Sequence, residues 1–312
     1  MNFLSHSAFR ALFIAIVAIF SLQSPSSFAQ NRTPEIKINK SQRQLKEESK
    51  DPNDSLNLEE RPYFLLIDQS EKALEQNDYE AAALRLVEAM SVEPDNPLNV
   101  ALLTNLGMIY YYNEQDSMAL RVLDEAVRRS PRLIAAHEKR ARVLTGMGRD
   151  KEAYEEYGRV IDIDSLNTSA RFYHAMMALH SGKLPEAEAD IACLNRVVPL
   201  WTNTVLANAT LFSMTGRERE AISLFRRLLD KDKLPEYYAA LAGCLIAVDD
   251  LNEASRVIGE GMELFKDDAE LYFHRAVLNH KRFLPDEAHR DAKRAIQLGA
   301  DAEHVAAIFE KK

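Results

Sequence analysis

The strongest constraint on this chain is an internal period of about 34 residues. Seven stretches align by short loops, most of them followed by Glu-Ala or a near equivalent: NDYEAAALRLVEA, EQDSMALRVLDEA, GRDKEAYEEYGRV, GKLPEAEADIACL, GREREAISLFRRL, DDLNEASRVIGEG and FLPDEAHRDAKRA. Their aligned alanines are Ala82, Ala119, Ala153, Ala187, Ala221, Ala254 and Ala288, spaced 37, 34, 34, 34, 33 and 34 residues apart. Twelve residues before each stands a small residue: Ser70, Gly107, Ala141, Ala175, Ala209, Ala242 and Ala276. Four residues after each stands an apolar one: Leu86, Leu123, Tyr157, Ile191, Phe225, Ile258 and Ala292.

A unit of this length holds two helices of about a dozen residues joined by short turns. Two antiparallel helices approach closely only where both carry small side chains, and the two small-residue ladders supply that contact. The apolar ladder then fills the interface with the next unit. Gly148, Gly182 and Gly216 fall between the helices, where a left-handed residue ends the first helix. Pro94, Pro131 and Pro199 follow the second helix and help to stop it.

This pattern resembles the tetratricopeptide repeat family. In the second unit Leu106-Gly107, Tyr110, Ala119, Ala126 and Pro131 all stand where that family has them. The resemblance spans the region 59–300 as units of about 63–96, 100–133, 134–167, 168–201, 202–234, 235–268 and 269–300. It implies an all-α, right-handed superhelical solenoid of about seven helix-turn-helix repeats, whose concave face binds peptides or partner proteins. Two departures stand out. His137 and Arg171 replace the family's aromatic near the start of the first helix, and repeats five to seven lack the closing proline.

The flanks are of a different kind. Residues 1–29 carry Arg10, an apolar run over residues 11–22 and small residues Ser27 and Ala29 before Gln30, the three-part pattern of a secretory signal. The run is shorter than the roughly 20 residues of a spanning helix, so cleavage and no stable membrane insertion are expected. Residues 30–58 are polar and of mixed charge and read as a disordered linker. Residues 301–312 read as a capping helix with Val305, Ile308 and Phe309 on one side, covering the last repeat. These features point to an exported protein, in the periplasm. Cys193 and Cys244 fall in different repeats and are expected to be buried free thiols.

Composition and motifs narrow the function. A net charge of −9 without a dominant basic face argues against nucleic acid as a partner. There is no Gly-rich phosphate loop, Gly-x-Ser-x-Gly or His-Glu-x-x-His, and seven repeats with their flanks leave no room for a catalytic domain. His174 and His180 are six residues apart, a spacing that does not place two metal ligands on one helix face. Glu155 and Glu156 read as a solvated face. The expectation is a non-catalytic scaffold without cofactor or metal.

Three consecutive tyrosines, Tyr110, Tyr111 and Tyr112, cannot share one helix face, because successive residues point about 100° apart. The resemblance puts Tyr110 in the core and turns the other two towards the groove. Carried over position by position, it implies a groove lined by Asn105, Met108, Tyr111, Tyr112, Lys139, Arg142, Tyr173 and Met176 in repeats two to four, with Asn203 in repeat five, and a partner segment held in repeats two to four. Residues 128–151 add eight bases against two acids, a local balance of +6. The implied partner is a protein or peptide, acidic or extended in character. Alternatives are a structural subunit that uses its convex face or ends, and an accessory subunit of an envelope enzyme.

Overall fold

The computed structural model describes residues 61–309, which contain fifteen α-helices and no strand. The signal segment, the 30–58 linker and residues 310–312 lie outside the described residues. The described chain divides into two compact units, 61–165 and 166–309. In the first, α1 (Pro62–Glu75) packs on α2 (Tyr79–Val92), α3 (Asn99–Tyr112) on α4 (Asp116–Arg129), and α5 (Ile134–Gly146) on α6 (Asp150–Ile163). In the second, the pairs are α7 (Thr168–His180) with α8 (Leu184–Val197), α9 (Thr202–Met214) with α10 (Glu218–Lys231), α11 (Pro235–Ala247) with α12 (Leu251–Leu264), and α13 (Ala269–Lys281) with α14 (Pro285–Gln297). A short α15 (Ala302–Ala306) follows α14.

The three ladders are the skeleton of these pairs. All seven aligned alanines have no exposed surface, and every member of the other two ladders is buried. Two contacts show how tight the pairing is. Ser70 Oγ donates to the carbonyl of Ala82 at 2.9 Å, linking the two small ladders across α1 and α2. A Cβ added at Gly107 would lie 2.4 Å from Leu123 Cγ, so only glycine lets α3 approach α4 here.

The turn inside each pair is built the same way seven times. The residue five before each aligned alanine has positive φ: Asn77, Glu114, Gly148, Gly182, Gly216, Asp249 and Phe283. The next residue's N–H then reaches back to the carbonyl five residues earlier, at 2.8–3.0 Å, from Asp78 to Ala73 through Leu284 to Asn279. This closure satisfies a carbonyl that the helix end leaves open. Three repeats use glycine, at no steric cost. Four hold a side chain in the left-handed region, at about 1–2 kcal/mol each. Phe283 does so with a ring that is 90% exposed.

A polar device joins the paired helices in three repeats. Glu156 is fully buried, not solvated as its sequence neighbours suggested. It accepts from Arg140 and Arg159 and meets Nδ1 of His137, whose other ring nitrogen faces the Pro131 carbonyl. Asp190 is at the same register position in the next repeat. It accepts from Arg171 at 2.5 Å and pairs with His174 at 2.6 Å. In the last pair Asp291 accepts from Arg275 through two bonds and from Asn279. Thus His137 and Arg171, which displace the family's aromatic, are matched by an acid on the second helix. The two cysteines are free and buried. Burial pushes the Cys244 thiol up to about 12, which leaves it inert.

Two predictions follow from this packing. Gly107→Ala should destabilise by about 1–3 kcal/mol through overpacking, whereas Gly259→Ala, where an added Cβ meets nothing within 4 Å, should stabilise by about 0.5–1 kcal/mol; urea unfolding of both variants checks the opposite signs. Glu156→Gln should cost about 3 kcal/mol by stripping a buried ion cluster of its anion, and an unchanged urea midpoint would contradict the cluster's role.

Candidate functional site

The sequence-predicted residues fall in both units. On the 61–165 unit, α3 and α5 lie side by side and bring five of them together. Lys139 Nζ donates to Asn105 Oδ1 at 2.9 Å, joining equivalent faces of consecutive first helices. The Arg142 guanidinium sits 6.0 Å from the centre of the Tyr112 ring, at the outer limit of a cation–π contact. Tyr111 and Tyr112 rings are 5.9 Å apart. Burial lowers the Lys139 ammonium pKa, and the neighbouring Arg142 charge adds to that, against a smaller opposing effect of Glu138.

The surplus tyrosine surface joins repeats to one another. Tyr110 packs against the core of the first repeats. Tyr112 reaches back and stacks on Tyr79 at the start of α2, with centroids 6.1 Å apart. Tyr111 reaches forward: a Cβ at Gly146, the end of α5, would stand 2.1 Å from its hydroxyl oxygen. Both residues remain half-buried. Met108, on the same helix, is 5% exposed.

Four of the eight bases over residues 128–151 pair with acids outside that window. Arg128 and Arg129 pair with Glu125, Arg140 with Asp124 and Glu156, and Arg149 with Glu152. The local excess of positive charge is therefore smaller at the surface than the sequence count gives.

On the 166–309 unit, Met176 is buried, Tyr173 packs edge-on to Phe172 at 5.3 Å, and Asn203 sits half-exposed in the first turn of α9. Two further residues share Asn203's register, six before the small ladder: Glu236 on α11 and Glu270 on α13. The side-chain Oε2 of each is enclosed and has no hydrogen-bond partner. Burial, with the charge of Asp268 adding, pushes the Glu270 carboxyl up to about 8; Glu236 is raised for the same two reasons. Sequence reading passed over both, because a glutamate in a first helical turn is a common helix-start residue. The signal available was their shared register with Asn203.

Among the described residues no group of His, Cys, Asp and Glu could hold a metal ion, and no helix is long and apolar enough to cross a membrane.

No family model matches the sequence. Among solved structures, a tetratricopeptide repeat protein from Parabacteroides merdae aligns with a TM-score of 0.66 at 24% identity, over 80% of this chain and 98% of that one. The fold is of the tetratricopeptide-repeat type. A structure of the APC/C hetero-tetramer Cut9–Hcn1 gives a TM-score of 0.59 at 13% identity, over 86% of this chain and 58% of that one. The Pseudomonas aeruginosa pilF structure gives 0.54 at 16% identity, over 68% and 97%. Proteins of this fold generally mediate protein–protein interaction.

The raised Glu270 pKa has a signed consequence. Between 4.5 and about 8 the folded chain holds a proton there that the unfolded chain has lost, so this group's contribution to stability falls as pH rises through that window. Glu270→Gln should therefore be more stable than the wild type at pH 8.5, by about 1–3 kcal/mol, with the gap closing towards pH 4.5; urea unfolding across that range checks it.

Proposed function

We propose that this chain is an exported, non-catalytic binding scaffold of the cell envelope, working in the periplasm and holding a segment of a partner protein on the face of α3 and α5. The observation that carries the reading is the group Asn105, Tyr111, Tyr112, Lys139 and Arg142. It combines half-buried aromatic rings with two cations and an amide on consecutive first helices. Tyrosine and arginine are the residue types enriched at interface centres, and an amide can bond an extended backbone. Because Tyr111 and Tyr112 are wedged between neighbouring repeats, their exposed edges are held in place before a partner arrives, which lowers the ordering cost of binding. Lys139 and Arg142 favour an acidic or extended segment. The fold supports a protein partner, and the apolar run with small residues near the start of the sequence supports export.

The test is a comparison of pull-downs from native envelope extract. The bait is residues 30–312, run beside the variant Tyr112→Ala, Lys139→Glu, Arg142→Glu, with circular dichroism melting to show that both fold. The expected outcome is a partner enriched at least about tenfold on the wild type over the variant. A partner retained equally by both would place binding elsewhere, on the outer helices or the ends.

A further inference from the structure

The turn between α13 and α14 carries the most exposed large apolar side chain of the described residues, Phe283 at 90%. Its backbone has a φ of +59°, in the left-handed region. A bulky residue is disfavoured there, and the equivalent turns of three repeats use glycine, which has no such cost. The other three non-glycine turns hold polar residues, Asn77, Glu114 and Asp249, so Phe283 alone puts a large apolar group at this position. Strain kept at an exposed position points to function. The turn is also pinned from both sides. Phe283 N donates to the His280 carbonyl and Leu284 N to the Asn279 carbonyl, both at 3.0 Å, while Arg282 and Lys281 donate to the carbonyls of Leu251 and Ile246 in the preceding repeat. Leu284 is 41% exposed beside it. Asp286 follows, exposed and without a hydrogen bond or ion pair among the described residues.

The 61–165 unit holds a recess of matching character. A pocket of about 390 Å³ opens over α4, lined by Leu103 from α3 and by Arg121, Val122, Asp124, Glu125 and Arg128. Its floor is apolar and fixed: Leu103 is 7% exposed and packs in a cluster with Met90, Val100, Val122 and Ala126. Charges ring it, and all but one are matched. Glu125 accepts from Arg128 and Arg129, and Asp124 accepts from Arg140. Arg121 is exposed and has no hydrogen bond or ion pair among the described residues. We propose that the Phe283 turn of one copy seats in the α4 pocket of a second copy, with the ring on Leu103 and Val122 and Asp286 meeting Arg121. The volume is within the size range of ligand pockets, and an aromatic anchor in a pocket is the usual centre of a protein interface. The acid three residues after the ring supplies the charge that the pocket's unmatched arginine lacks. Turn and pocket are different surfaces, so the contact either repeats from copy to copy or closes when two copies exchange it. The inference stands apart from the α3 and α5 face.

Sedimentation velocity on residues 30–312, from about 1 μM to about 1 mM, reads the association. The wild type should gain mass with concentration. Phe283→Gly removes the ring and suits the left-handed backbone, so it should melt no lower than the wild type and associate at least about tenfold more weakly. Arg121→Glu reverses an exposed charge at the pocket and should weaken association to a similar degree. An equimolar mixture of these two variants should recover a 1:1 complex, because the first keeps the pocket and the second keeps the turn. Leu200→Ala, which trims another side chain that is 75% exposed, should associate as the wild type does. A wild type that stays monomeric at about 1 mM overturns the proposal. So does unchanged association of Phe283→Gly or Arg121→Glu, an equal loss in Leu200→Ala, or a mixture that stays monomeric. Both variants leave Tyr112, Lys139 and Arg142 in place, so capture of the envelope partner is read separately and either proposal can fail alone.

Discussion

The structure depends on how closely two helices can approach when the ladder residues that face each other across the pair are small. Each of the seven pairs places an alanine with no exposed surface on its second helix and a buried small residue on its first. That approach fixes the separation within the pair. The apolar residue one turn further along, large in six of the seven pairs, then sits at a set depth, as Leu123 does against Gly107. Everything functional follows from this spacing. Within the 61–165 unit α3 and α5 stand side by side because their partners hold them there, and so residues 34 apart in sequence, Asn105 and Lys139, become hydrogen-bond partners.

Sequence made the fold legible because burial leaves a size requirement at fixed intervals, and seven copies repeat it. The turn was only partly legible. Gly148, Gly182 and Gly216 announce a left-handed residue and Asn77 and Asp249 are of the types that tolerate one, but Glu114 and Phe283 adopt the same conformation without a compositional signal. There the capping bonds from the next residue hold the backbone in place regardless of the side chain. Glu156 was read as solvated for a similar reason. Its burial depends on Arg140, Arg159 and His137 meeting it across and along the helices, and pattern within one helix does not show which charges find partners on another.

The candidate site shows the same limit. Position can be carried from the repeat register, which puts Tyr112 and Arg142 on neighbouring first helices, and the structure sets the guanidinium 6.0 Å from the ring. What register could not show is that these tyrosines also wedge between repeats, against Tyr79 and Gly146. Nor could it show that half of the bases nearby are matched by acids such as Asp124, Glu125 and Glu152 just outside their run. The two glutamates of the last repeats are the converse: ordinary in sequence, and unusual only once their oxygens are seen to be enclosed. Charge count identifies candidates, and the surroundings decide which charges are left to act on a partner.

The central claim is that steric contact between the ladders, not helix propensity, sets the pairing. The direct test is a double-mutant cycle between positions 107 and 123 by urea unfolding. If the claim holds, alanine at 107 destabilises when Leu123 is present and is neutral or stabilising when Leu123 is replaced by alanine, a coupling of about 1–3 kcal/mol. An alanine at 107 with the same effect in both backgrounds would contradict it.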